Sequence, residues 1–284
     1  MRSWLTAVSM ALLAVTLAKS SCEAGPTVTV GSSVAAARRV SVERIDHSAW
    51  DALLQKHVDA RGFVDYSAWK SSASDQQALD GYLRHLSSAS LSGQSSREAR
   101  LAFWINAYNA STMKGILREY PTSSIRNHTA KVFGYNIWKD LVLPVDGKNY
   151  SLEQIEHEVL RKMGEPRIHF AIVCASIGCP RLLNRAYTAS ELDQQLSANA
   201  NAFFADRAKF AYDANRRTMQ LSQVLKWFAE DFGANQAEQL RAISPYLPDA
   251  ASQQLARSGS ASISYLDYDW ELNDRAKLRS AARK

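Results

Sequence analysis

REARLAFWINAYNASTMKGILREY, residues 97–120, reads as one long helix. Good helix formers dominate it, no proline interrupts it, and Pro121 stops it. Apolar residues fall on most of its sides, so it belongs in the middle of a core rather than on a surface. Asn106 and Asn109, spaced i and i+3, are its polar exceptions. Buried amides need partners, so this pair either ties down a neighbouring loop or lines a cavity.

Working outward, Asp46–Val58 carries an amphipathic stripe of Trp50, Leu53, Leu54 and Val58. Asp75–Leu86 reads as a second helix before a serine-rich loop. Downstream, two β-type runs over 138–151 flank Asp146-Gly147, a hairpin signal. Ser151 with Gln154 forms a capping box that opens a helix over Leu152–Met163. The run IHFAIV after Pro166 reads as a strand, and Thr188 with Glu191 as a second capping box leading a helix through Phe204. A hairpin over 209–221, a helix capped by Ser222 and a strand in ISYLDYDW complete the pattern. With no repeat and no βαβ rhythm, the expectation is α+β: a mainly helical single domain with a small, largely antiparallel sheet. It occupies residues 43–275, after a linker or loosely held arm over 25–42 and before a basic tail over 276–284.

VDYSAW, AFWINAYNA, WKDLVLPVDGKNYSLEQIEHEVLR, RIHFAIVCASIGCPRL, LSQVLKWFAEDF and ISYLDYDWELN occur here in this order. In that order and rough spacing the chain resembles the bacterial domain-of-unknown-function 547 family, from about Asp46 to Asn273. The resemblance implies a single exported domain. It carries no activity and no catalytic assignment, so chemistry must be read from the residues.

The first 24 residues have the layout of a secretory signal peptide: Arg2, an uncharged run from Trp4 to Ala18, then small residues. Cleavage fits after Ala24, or after Ser20. The apolar run is too short for a bilayer span, and Lys19-Ser20-Ser21 is a poor approach to acylation at Cys22, which weighs against a lipoprotein anchor. The expectation is a periplasmic or secreted protein with no transmembrane segment after cleavage. Cleavage after Ala24 leaves Cys174 and Cys179, an even number in an oxidising compartment. The whole chain carries +6, and about +5 without its leader. No basic block with interleaved aromatics appears, so nucleic acid is not an expected partner.

The chemistry concentrates in RIHFAIVCASIGCPRL, residues 167–182. Cys174, followed by small residues with free N–H groups, has the local form of an acyl-transfer nucleophile. Cys179 argues instead for a disulfide fixing the ASIG loop, with Gly178 supplying turn freedom. On a strand, His169 and Cys174 would face opposite ways. On the Leu152–Met163 helix, Glu156 falls inside the apolar stripe with His157 at its edge, so the acid needs a partner, Arg167 or Arg181 if structural. A cysteine-dependent hydrolase or acyltransferase would use Cys174, a histidine (His157 or His169) and Glu156. The preferred reading is a binding or interaction module. Its stapled loop lines a pocket with Asn106, Asn109, Ser176 and Arg181, and its partner is a small molecule or an envelope protein or peptide. His157, His169 and Cys174 form no recognisable metal motif, and no cofactor or metal is expected.

Overall fold

The computed structural model describes residues 27–130 and 134–277. The expected leader with Cys22, and the tail from residue 278 onward, lie outside them.

The chain begins with β1 (Val28–Thr29) and β2 (Val40–Ser41), then α1 (Ser48–His57), α2 (Tyr66–Ser71) and α3 (Ala73–Leu86). After β3 (Ala89–Ser90) comes the long helix α4 (Arg97–Glu119), whose N-terminus is capped by the Ser96 hydroxyl accepting from the Ala99 N–H. A short α5 (Ile137–Asp140) leads into the hairpin β4 (Leu141–Val145) and β5 (Lys148–Ser151). Its turn needs two residues at positive φ, supplied by Asp146 at +51° and Gly147 at +81°. α6 (Leu152–Gln154) starts with the expected Ser151–Gln154 capping box. Then follow α7 (Leu192–Ala205), the hairpin β6 (Phe210–Asp213) and β7 (Thr218–Leu221), and α8 (Gln223–Trp227), capped by Ser222. α9 (Ala229–Phe232), α10 (Gln236–Ile243), α11 (Ala250–Ser258) and β8 (Ser262–Tyr265) complete the described chain.

The architecture is mainly helical α+β, as expected. In place of one largely antiparallel sheet, its strands form three small ones: the mixed sheets β1-β4-β5 and β6-β7-β8, and the parallel pair β2-β3. Two core regions carry the molecule. The first surrounds α4 with α1–α3, β4 and residues 152–173; α4 is buried almost continuously from Ala99 to Leu117. The second is aromatic, with Phe170, Phe203, Phe204, Phe210 and Phe232 packed against α10, α11 and the last sheet. Among the described residues no helix is long and apolar enough to cross a membrane.

Three local expectations are corrected. The stretch read as a loose arm is pinned twice, β1 running parallel to β4 and β2 parallel to β3. IHFAIV is not a strand: Pro166 at the first turn, with the Glu165 carboxylate capping the Arg167 N–H, winds Pro166–Phe170 into a 3-10 helix. The Thr188–Glu191 capping box does not form, because the Thr188 N–H is taken by Gln195 Oε1.

Candidate ligand site

Where the two cores meet lies a cavity of about 250 Å³, with Ile172 of the first and Val224 of the second on its walls. Residues 152–163 contribute Glu156 and His157. This segment is helical, but the i+4 register expected of it fails. Ile155–Leu160 form a π-helical turn, followed by a 3-10 turn over Arg161–Met163. Such widened turns recur at functional sites, because they re-aim side chains that a regular helix would place elsewhere. Leu152, Ile155 and Leu160 stay buried, Glu156 is half-buried, and His157 is exposed.

Glu156 Oε2 accepts a hydrogen bond from the Tyr108 hydroxyl at 3.1 Å. Burial pushes its carboxyl above the usual range, against the opposing pull of His157, Tyr108 and Arg161. Neither expected arginine reaches it. Arg167 bonds Glu165 and Asp193, and Arg181 bonds Asn199 Oδ1 and the Ala60 carbonyl.

His169 and Cys174 both border the cavity, because without a strand the alternation separating them does not apply. The His169 ring is buried, stacked 4.1 Å from the Phe228 ring centroid, and its Nε2 lies 2.6 Å from Asp231 Oδ2. Burial, outweighing the pull of Asp231, lowers its pKa to about 4. The neutral ring therefore donates Nε2–H to Asp231, while its buried Nδ1 has no hydrogen-bond partner among the described residues. Burial would raise the Asp231 carboxyl, but the bonds from Arg161, at 2.7 and 2.9 Å, and from His169 hold it below its ordinary range. Arg161 also donates to His157 Nδ1 at 3.1 Å. These histidine bonds leave a Cys174–His–Glu156 triad unassembled.

Cys174 and Cys179 form a disulfide. The ring it closes holds Ala175 at φ +60°, a left-handed position unusual for a residue with a Cβ. The loop is also laced to the C-terminal segment: Ile177 N–H donates to the Glu271 carbonyl, Gly178 N–H to Asp269, and Asn273 N–H to Ala175. Gly178 is needed for close approach rather than for turn freedom, since a Cβ there would stand 2.9 Å from the Asp269 carbonyl oxygen. On the inner side, Asn109 Nδ2 donates to the Ala171 carbonyl and its Oδ1 accepts from the Val173 N–H, tying the approach to Cys174 onto α4. Asn106 makes the same two-way bond to the Tyr187 backbone, away from the site. Both amides hold structure, and neither lines the cavity. Ser176 is buried behind the disulfide, its hydroxyl 3.0 Å from that of Tyr268. Arg181 borders a separate groove on the far side of the loop.

The remaining wall was not anticipated from the sequence. Trp227, Tyr268 and Trp270 pack into one aromatic surface, with ring centroids 4.6–5.7 Å apart, and Trp138 lines the same cavity. Trp227 is 46% exposed, the one large apolar side chain so exposed among the described residues. The Tyr268 hydroxyl sits 3.1 Å from both disulfide sulfurs, and burial raises its pKa. The i, i+2 spacing of Tyr268 and Trp270 in DYDW was the available signal. Asp231 had none.

Residues 92–204 match the model of a family described as "Protein of unknown function, DUF547". That segment contains Tyr108, Glu156, His169 and the disulfide; Trp227, Asp231, Tyr268 and Trp270 lie beyond it. No curated protein and no solved structure matches the chain.

Proposed function

We propose, from the premise that this chain belongs to the DUF547 family, that it is a binding module whose ligand enters the cavity between the stapled loop and the Trp227–Tyr268–Trp270 wall. The observation that carries the reading is the exposed Trp227 at the edge of a concave, mostly apolar cavity containing a carboxyl group with one hydrogen-bond donor among the described residues, Tyr108. The disulfide supports binding over catalysis. A cysteine in a disulfide is no nucleophile, and both candidate bases are engaged elsewhere, His169 by Asp231 and His157 by Arg161. Export belongs to the same proposal: the signal-like leader and the paired cysteines both suit an oxidising envelope compartment.

A fragment screen read by thermal shift, on wild-type protein and Trp227→Ala, tests the reading. Fragments that stabilise the wild type should lose most of their effect in the variant. Equal shifts in both proteins, or none in either, would overturn it. Fractionation of cells expressing the full chain tests export; retention in the cytoplasm would contradict it.

A further inference from the structure

The cavity wall combines electron-rich aromatic rings with one acid, Glu156, set well inside the chain's apolar surround. The Tyr108 hydroxyl is already given to Glu156. That of Tyr268 is engaged with the disulfide sulfurs and with Ser176 behind them. Arg161, which pulls on the Glu156 carboxyl, is paired with Asp231 and Glu230. Lys139 at the rim stands 3.8 Å from Glu153. What remains is the Glu156 carboxyl, which has no ion-pair partner within 4.0 Å among the described residues and lines the same cavity as Trp138, Trp227 and Trp270. A carboxylate has room for about four hydrogen bonds, so one tyrosine leaves most of its acceptor capacity unused. Aromatic faces carry partial negative charge and attract cations placed over them, tryptophan most strongly.

We propose, resting on the binding reading above, that the ligand class is an organic cation: an alkylated or quaternary ammonium group seated against the Trp227–Tyr268–Trp270 wall, with Glu156 as its counter-ion. The cavity, about 250 Å³, accommodates a head group of that size with a short substituent leaving past Trp227. Charge and wall act together. The low-dielectric aromatic surround strengthens the attraction to Glu156, and the methyl groups of the cation supply the apolar contact.

Calorimetric titration with choline, compared with 3,3-dimethylbutan-1-ol, tests this directly, since the second probe keeps the shape and removes the charge. Choline should bind about tenfold more tightly than its neutral isostere, the size expected of a desolvated cation–π contact assisted by a carboxylate. Glu156→Gln keeps the side-chain volume and the Tyr108 contact, and should weaken choline several-fold while leaving the isostere's binding unchanged. Trp227→Phe should retain binding that Trp227→Ala loses. Near-UV circular dichroism on each variant establishes that the fold is intact. Equal binding of the two probes would overturn the cationic class and leave the binding module standing. So would binding of cellobiose where choline fails. Failure of every probe, together with a blank fragment screen, would remove both.

Discussion

Glu156 and His169 face the same cavity, and burial moves both pKa values, which leaves opposite signatures in stability against pH. Glu156 is raised above its ordinary 4.5, so the folded protein binds more protons than the unfolded chain between 4.5 and that raised value. Stability therefore falls as pH rises through this window. Glu156→Gln should remove the decline and leave the protein more stable than wild type near pH 8, as read by urea denaturation across pH. His169 is lowered from 6.5 to about 4, so between these values the unfolded chain binds the extra proton. Its contribution is present above pH 6.5 and lost as pH falls to 4, up to about 3 kcal/mol for a shift of this size. His47, also lowered to about 4 by burial, adds to the same slope. His169→Asn should flatten the acid limb but not abolish it; an unchanged limb would mean that the ring is already charged in the folded state.

The stapled loop is the element on which the site depends, and it is held from three sides: its own disulfide, Asn109 of α4, and the backbone of residues 269–273. Closing so small a ring stabilises by about 2 kcal/mol in the chain-entropy model. Cys174→Ser and Cys179→Ser should each cost about that much and nearly equally, since either removes the same constraint. A clear inequality in denaturation midpoints would show that one cysteine does something further. Gly178→Ala should cost about 1–3 kcal/mol and displace Tyr268 from the wall, because the obstacle is backbone and cannot swing aside. Part of this element was readable in advance. Two cysteines in a chain with an export-type leader indicate a bridge, and Asn109 in an apolar helix indicates a loop to be held. Its shape was not readable. Alternating apolar residues in IHFAIV suggest a strand, and only the local competition of Pro166 and the Glu165 cap turns them into a 3-10 helix. The π turn was hidden for a similar reason: a 100° periodicity assumes the i+4 register that Ile155–Leu160 abandon.

Across the molecule, the legible features are those specified locally. The long α4, the Asp146-Gly147 hairpin and the Ser151 and Ser222 caps follow from propensity, positive φ and side-chain capping, and all form where expected. The cavity is specified by contacts between distant segments, Glu156 meeting Tyr108 and the 268–270 stretch closing over the loop, and no local pattern encodes that meeting. Two core regions share the load, and Asn109 ties the approach to the site onto the larger one. Asn109→Ala strands the buried Val173 N–H and Ala171 carbonyl. It should lower stability by about 2–4 kcal/mol, at roughly 1–3 kcal/mol for each group left unsatisfied within one shared loop. Asn106→Ala should be similarly destabilising without altering ligand binding, because Tyr187 lies outside the cavity.

The chain has seven tryptophans, and their placement makes one measurement decisive. Trp50, Trp69 and Trp104 are buried in the larger core, Trp138, Trp227 and Trp270 line the cavity, and Trp4 lies in the expected leader. Indole N–H spectra of 15N-tryptophan-labelled protein, assigned by single substitution and recorded during titration with choline, report on core and cavity separately. The expected result is saturable shifts of the Trp138, Trp227 and Trp270 signals with the three core signals unmoved. Shifts confined to the core signals, or no saturable shift in any of them, would contradict a ligand site at the aromatic wall.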